Sequence, residues 1–237
     1  MFSYTGGSGT DTAIVHGQIA ANDGIATFTM GDGTNSLQLL VDQIRLAKTL
    51  GAGSHETTSV FTYNGGADAD TVTIRNTWTG AADNYIAQDG NVYFNMGNGT
   101  NALIFDTQDH IYFSLFNGIF TYTGGTGSDT VDLSAKARVN PGTIVDFGAD
   151  DAADSLTAGR LDTGFVIRNL DPNEDSIRLR IEGFAPTSYD ITMDGADADV
   201  TYVLNGATRG FTAEGVTLTN DDIQISGEYL IVGVDLI

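Results

Sequence analysis

The sequence predicts an all-β chain: a parallel β-solenoid, roll-like, with wide irregular coils and a β-rich C-terminal cap. Three observations predict it. One phrase recurs, as FSYTGGSGTDTAIV from Phe2, FTYNGGADADTVTI from Phe61 and FTYTGGTGSDTVDL from Phe120, 59 residues apart at both intervals. Repetition at a fixed period marks an architecture of stacked units. The segments flanking each phrase, such as VFTY and TVTIR, alternate apolar and polar residues, the period-two pattern of half-buried strands. The composition also suits short strands and tight turns, with 30 glycines and three prolines in 237 residues.

Within the phrase, the aromatic pairs Phe2/Tyr4, Phe61/Tyr63 and Phe120/Tyr122 fall on one face of a strand. They are expected to stack as a ladder along the solenoid. The paired glycines follow, because a turn with positive φ is cheap only without a Cβ. A second phrase, FTMGDGTNSLQLL from Phe28 and FNMGNGTNALIF from Phe94, repeats the turn with Asn35 and Asn101 where the first phrase carries aspartate. VDFGADDAADSL from Val145 is a looser copy. Each repeat thus carries two glycine-acid turns. The stretch NSLQLLVDQIRLAKTLGAG is open to two readings. Leu39, Leu40, Ile44 and Leu46 fit a short helix stopped by Gly51, while Leu37, Leu39 and Val41 fit a strand.

Residues 1–141 form the glycine-aspartate repeat region. After Pro141 the phrase is lost and acids become denser, so residues 142–237 are expected to form an acidic, β-rich cap. DSIRLRIEGF, ADVTYVL and GVTLTNDDIQIS all read as strands there.

The formal charge is −21, from 31 acids against 10 bases. Phosphate neutralisation needs Lys and Arg, so nucleic acid is not an expected partner. No basic run suits an anionic membrane, and no apolar run is long enough for a spanning helix. Cysteine is absent, which excludes disulfides and thiolate metal sites. Many carboxylates in a compact chain repel one another unless cations neutralise them, and calcium prefers oxygen ligands. No signal peptide is legible at Met1, so either export uses another signal or the chain is a fragment with an added methionine.

GGSGTDTAI (Gly6 to Ile14) and GGTGSDTVD (Gly124 to Asp132) fit the nonapeptide G-G-x-G-x-D-x-U-x, U being apolar. GGADADTVT (Gly65 to Thr73) fits with Asp68 in place of a glycine. The chain therefore resembles the RTX calcium-binding repeat proteins, bacterial products of type I secretion. That resemblance implies a β-roll whose turn carbonyls and aspartates enclose Ca2+, with the apolar residue pointing inward. It implies as ligands Gly7, Gly9 and Asp11; Asp32 and Asn35; Gly66, Asp68 and Asp70; Asn101; Gly125, Gly127 and Asp129; and Asp150, Asp151 and Asp154. The plainer reading of each aspartate is a turn held by its own backbone bonds. Asn35 and Asn101 bring no charge, so calcium there should be weak or absent. The turns are also 24 to 35 residues apart (Asp11 to Asn35, Asn35 to Asp70), so each coil must be much wider than in the tandem family form. VIRNLDPNEDSIRLRIEGF (Val166 to Phe184) and the ending VGVDLI resemble the segment closing many RTX regions and its secretion signal. Asp171, Glu174 and Asp175 are read as a plain acidic turn.

No G-x-S-x-G, H-E-x-x-H or P-loop phrase occurs, and His16, His55 and His110 share no catalytic pattern, so no enzyme is expected. Trp78 is the candidate single ligand contact. The expected function is a secreted, extracellular or cell-surface structural protein that binds calcium and self-assembles into a surface layer, matrix or filament, its coils stacking head to tail. An adhesin that binds cell-surface polysaccharide, or the secretion module of a larger protein, is the alternative.

Overall fold

A computed structural model describes residues 1–16, 19–22, 24–41, 44–48, 59–76, 84–86, 90–107, 113–114, 119–139, 142–161, 164–180 and 186–234. Among the described residues the chain winds as a β-solenoid of seven coils. The first holds β1 (Phe2–Thr5), β2 (Thr12–His16) and β3 (Ile19–Asn22). The second holds β4 (Ile25–Thr29), β5 (Asn35–Val41) and β6 (Ile44–Lys48). The third holds β7 (Val60–Asn64), β8 (Asp70–Asn76) and β9 (Asn84–Ile86); the fourth β10 (Asn91–Asn95), β11 (Asn101–Thr107) and β12 (Phe113–Ser114). The fifth has β13 (Ile119–Thr123) and the long β14 (Asp129–Val139), the sixth β15 (Thr143–Asp146) and β16 (Ser155–Leu161), and the seventh β17 (Phe165–Arg168) and β18 (Ser176–Arg180).

The first strands of all coils stack in parallel as one sheet, in the order β1-β4-β7-β10-β13-β15-β17, and the second strands as another. A turn joins the two sheets in each coil, carrying glycine in the first six coils and Asn169 at positive φ in the seventh. The expected all-β solenoid is therefore present. The two phrases occupy the same turn in successive coils, since Tyr4, Phe28, Tyr63, Phe94 and Tyr122 share one register column. The 59-residue period is two coils, whose lengths vary because the far side of the coil varies.

Period-two alternation won over the helical pattern in residues 35–41 and 44–48, which form β5 and β6. Leu37 and Leu39 are fully buried, in register with Val72 and Ile74 of β8. A helix would take those leucines out of columns that the neighbouring coils continue.

The core lies between the two sheets. Phenylalanine rings zigzag through it from Phe2 to Phe28, Phe61, Phe94 and Phe120, with centroids 5.2 to 5.8 Å apart. The expected aromatic ladder is internal, so beyond the first coil these rings are closed to a glycan. The apolar residue two places after each aspartate also points inward: Ala13, Val72 and Val131 share a column with Leu37, Leu103, Leu156 and Ile177.

The parallel stack continues past residue 142 to Arg180. Beyond it, β19 (Ser188–Asp194), β20 (Asp197–Leu204) and β21 (Ala207–Glu214) form a meander. Its last strand joins β17 in parallel, while its neighbours run antiparallel. The β20–β21 turn uses Asn205 and Gly206, both at positive φ, as a two-residue hairpin with right-handed strand twist requires. GVTLTNDDIQIS is a strand only at its end. Thr219 caps a single 3-10 turn, Asn220–Asp222, before β22 (Ile223–Ser226) and β23 (Tyr229–Gly233) close the second sheet against β18.

Candidate metal centre at the turn column

The acids and amides singled out in the sequence converge on one column. Asp11, Asn35, Asp70, Asn101, Asp129, Asp154 and Asp175 follow one another down the stack, 24, 35, 31, 28, 25 and 21 residues apart. From Asn35 onward each is at most 4% exposed. Adjacent strands in a sheet lie about 4.8 Å apart, so the column spaces its polar groups at that interval.

From Asn35 onward, each side chain bonds with the coil before it. Asn35 Oδ1 accepts from Asp11 N (3.1 Å), Asp70 Oδ1 from Asn35 N (3.2 Å), and Asn101 Oδ1 from Asp70 N (3.0 Å). Asp154 Oδ1 accepts from Asp129 N at 2.6 Å, and Asp175 Oδ1 from Asp154 N at 2.8 Å. Asn101 Nδ2 donates to Asp129 Oδ1 at 3.0 Å.

Five of these side chains also brace their own turns, and here the two residue types do opposite things. Asp11 and Asp70 accept from the N–H of Gly7 and Gly66 (2.6 and 3.0 Å), and Asp175 likewise accepts from Asp171 N at 2.7 Å. Asn35 and Asn101 instead donate to the carbonyls of Gly31 and Gly97 (2.9 and 3.0 Å). Accordingly Gly31 and Gly97 have φ near +79°, at 78° and 79°, while Gly7 and Gly66 do not take positive φ. The peptide presents a donor to the carboxylate and an acceptor to the amide.

The inward residue before the turn follows the same alternation. In the first five coils, aspartate coils carry Tyr4/Gly6, Tyr63/Gly65 and Tyr122/Gly124 and asparagine coils carry Phe28/Met30 and Phe94/Met96, whereas the Asp154 coil carries Val145/Phe147 and the Asp175 coil Ile167/Asn169. A Cβ on Gly65 would lie 2.0 Å from Asp70 Oδ2 and 2.1 Å from the Met96 carbonyl. The glycine thus makes room for the carboxylate. The Tyr122 hydroxyl faces Asp129, yet neither it nor Asp129 Oδ2 meets a partner at hydrogen-bonding geometry. Burial pushes the Tyr63 and Tyr122 hydroxyls up, and the nearby Asp70 and Asp129 add to that.

Neutral asparagines separate the carboxylates in the first five coils, whereas Asp129, Asp154 and Asp175 are consecutive. Burial pushes Asp129 up to about 6, against hydrogen bonds from Asn101. Burial first, then the charges of Asp175, Asp129 and Asp150, pushes Asp154 up to about 7 despite the Asp129 N–H. Burial likewise raises Asp70 and Asp175.

The outer rim of the turn carries the remaining expected ligands. Asp32 and Asp151 are exposed. Asp68 Oδ2 accepts from Gly33 N at 3.1 Å, and Asp150 Oδ2 from Gly127 N at 2.6 Å. Gly9, Gly125 and Gly127 lie in the turns and bring backbone only.

The fit to calcium follows from these bonds. The ion needs six to eight oxygens at about 2.3–2.6 Å. The inner column brings Asp11, Asn35, Asp70, Asn101, Asp129 and Asp154 together and engages at least one oxygen of each with a backbone N–H or, at Asp129, with the Asn101 amide, while Asp129 Oδ2 has no partner. Among the described residues no three His, Asp or Glu side chains are grouped to hold a metal. In this geometry the inner column is a hydrogen-bonded ladder. The plain-turn reading also describes Asp175, which the sequence placed in an isolated acidic turn and the fold makes the last rung. Aligning the second phrase on the first, glycine on glycine, would have exposed the column, the Tyr/Phe and Gly/Met alternation included.

His16 is exposed on β2. His55, His110, Trp78 and the last residues of VGVDLI lie outside the described residues. Comparison with family models, with curated protein sequences and with solved structures finds no match.

Proposed function

We propose that this chain is an extracellular structural protein that assembles with copies of itself, as a subunit of a surface layer, matrix or filament. The observation that carries this reading is the asymmetry of the solenoid's ends. One end is closed by antiparallel strands. At the other, among the described residues, β1 pairs only with β4 and β2 only with β5, which leaves their outer edges unpaired within residues 1–237. Phe2 is 51% exposed there, whereas Phe61 in the same column is fully buried. Open edges are templates for another chain. The interior is filled by side chains and the candidate column is tied up in hydrogen bonds, which suits a scaffold.

Calcium belongs to this proposal through the RTX resemblance and the net charge. Its entry would be at the rim acids Asp32, Asp68, Asp150 and Asp151, where it would relieve repulsion among a chain of charge −21. The test is molar mass by light scattering, in chelator and then in millimolar calcium. Multimers support the reading, and multimers that chelator dissolves support calcium's part in it. A monomer of 24.9 kDa in both conditions overturns it.

A further inference from the structure

We infer that the outer face of the sheet of first strands is an ice-binding surface. Over the first five coils it presents a regular, uncharged array of side chains to an ordered lattice of water. This goes beyond self-assembly and holds for a single molecule. The strands alternate, so the residues flanking buried Phe61 and Tyr63, and their equivalents in the other coils, point outward. They form two ranks across the coils. Ser3, Thr27, Thr62, Tyr93 and Thr121 make one rank. Thr5, Thr29, Asn64, Asn95 and Thr123 make the other. Ser3, Thr5 and Asn95 are exposed and the rest partly so. No register shift interrupts the pairing that sets these ranks, whereas the second sheet is shifted between Ala20 and Asn22 and between Leu133 and Arg138.

Charge, spacing and area select the occupant. None of these side chains is charged, in a chain of formal charge −21. Charge enters the second rank only at the sixth and seventh coils, with Asp146 and with Arg168, which pairs with Glu214 at 2.6 Å. The outer face of the other sheet carries the Arg75–Asp106 ion pair within the first five coils. A neutral face suits a neutral partner. Threonine is stiff at χ1 and offers a hydroxyl and a methyl from a fixed place. Asn95 Nδ2 donates to Asn64 Oδ1 at 2.8 Å, which holds both amides along the rank. Neighbours in a rank lie about 4.8 Å apart. In a tetrahedral lattice of water, with O–H···O near 2.75 Å, second neighbours lie about 4.5 Å apart. The mismatch accumulates to only about 1.2 Å over four steps, less than half a hydrogen bond. Five strands of five residues span roughly 400 Å², half of the ~800 Å² that each partner gives to a standard protein interface, so a second copy is poorly served. A growing lattice settles on the face one molecule at a time and needs no such area. A neutral polysaccharide would dock its sugar rings on aromatic faces, and Tyr93 is the single aromatic side chain in the two ranks.

The experiment freezes a dilute solution of the labelled 237-residue protein slowly onto a cold probe and measures the share taken into the ice. The parent is expected to enter the ice. Thr62→Lys with Thr121→Lys places two charges in the first rank, on an outer face where they reach water. This variant is expected to be excluded from the ice, with unchanged far-UV circular dichroism. Thr73→Lys with Thr157→Lys adds the same charge to the outer face of the other sheet and is expected to enter as the parent does. Tyr93→Thr completes the first rank and is expected to enter at least as well as the parent. A parent excluded from the ice overturns the inference, and its co-sedimentation with insoluble cellulose or chitin would assign the face to a polysaccharide instead. Entry that survives the Thr62 and Thr121 substitutions overturns the location. Loss of entry in Tyr93→Thr overturns the array. If the first pair does not fold, Thr29→Lys with Thr123→Lys charges the second rank and takes its place. Light scattering of the same samples separates this inference from self-assembly: monomers that enter the ice support it while overturning the assembly reading, and multimers excluded from the ice do the reverse.

Discussion

Asn35 and Asp70 sit in the same column and cannot be exchanged without changing the peptide they hold. An aspartate at position 35 or 101 would set a carboxylate against the carbonyl of Gly31 or Gly97 and against aspartates one coil away on both sides, about 4.8 Å off. Asn35→Asp and Asn101→Asp are each expected to lower stability by roughly 2 kcal/mol, read from urea midpoints in chelator. Were the column a calcium site, the same substitutions would complete it, and millimolar calcium would raise the midpoint above that of the parent. The raised carboxyls make a second prediction. Asp70, Asp129, Asp154 and Asp175 all have folded values above the ordinary 3.8. Between pH 4 and 7 the folded chain therefore binds more protons than the unfolded one. Their contribution is fully present below the unfolded value and is lost as pH rises through about 6 for Asp129 and about 7 for Asp154. In chelator, the melting temperature should rise by roughly 5 °C between pH 8 and pH 5.5, and Asp154→Asn should flatten that slope. A melting temperature that falls over the same interval would show that these groups do not control it.

At the scale of one coil, the turn behaves as a unit of three coupled positions: the inward aromatic, the residue at the turn's entry and the column residue. Gly65→Met alone drives a side chain into Asp70 Oδ2 and the Met96 carbonyl, and should cost about 3 kcal/mol or more. Converting the whole set, with Tyr63→Phe, Gly65→Met and Asp70→Asn, changes the coil to the asparagine type and should recover at least half of that loss. Gly66 can follow because glycine permits the peptide to turn over. Denaturation midpoints of the single and triple variants, compared directly, decide this. A triple variant no better than the single would show that the three positions are independent. The second glycine of the turn has a built-in control. A Cβ on Gly66 would meet the Gly31 carbonyl at 2.1 Å, whereas one on Gly7 would meet nothing within 4 Å. Gly66→Ala should destabilise strongly and Gly7→Ala hardly at all.

In the whole molecule, each coil is buried by its two neighbours, so stability follows approximately from nearest-neighbour contacts. Among the described residues the first coil pairs on one side only. Hydrogen exchange of the monomer should therefore be fastest in β1 and β2, slowest in β7, β8, β10 and β11, and slow again where β20 and β21 cover the last coil. Uniform protection from β1 onward, in a protein shown to be monomeric, would contradict a fraying open end.

The sequence alone determined the element type, the turn side and the inward faces. Alternation and paired glycines are local signals, and Phe61, Tyr63, Val72 and Leu37 state their burial through period and apolarity without reference to any partner. It also showed that Asp11, Asp70 and Asp129 are equivalent. What those residues do was decided by the tertiary structure. Stacking places an asparagine coil between two aspartate coils, and their alternation then reads as acceptor and donor, each matched to a peptide that glycine allows to face either way. The resemblance to a calcium repeat could not reveal this, because a carboxylate that accepts backbone N–H groups and one that binds a cation sit at the same position in the phrase. Helix or strand at residues 35–41 and 44–48, the place of Asp175 as the final rung and the true one-coil period were settled in the same way. Each depends on which residue lies one coil away, and coils of unequal length hide that neighbour from any fixed spacing along the chain.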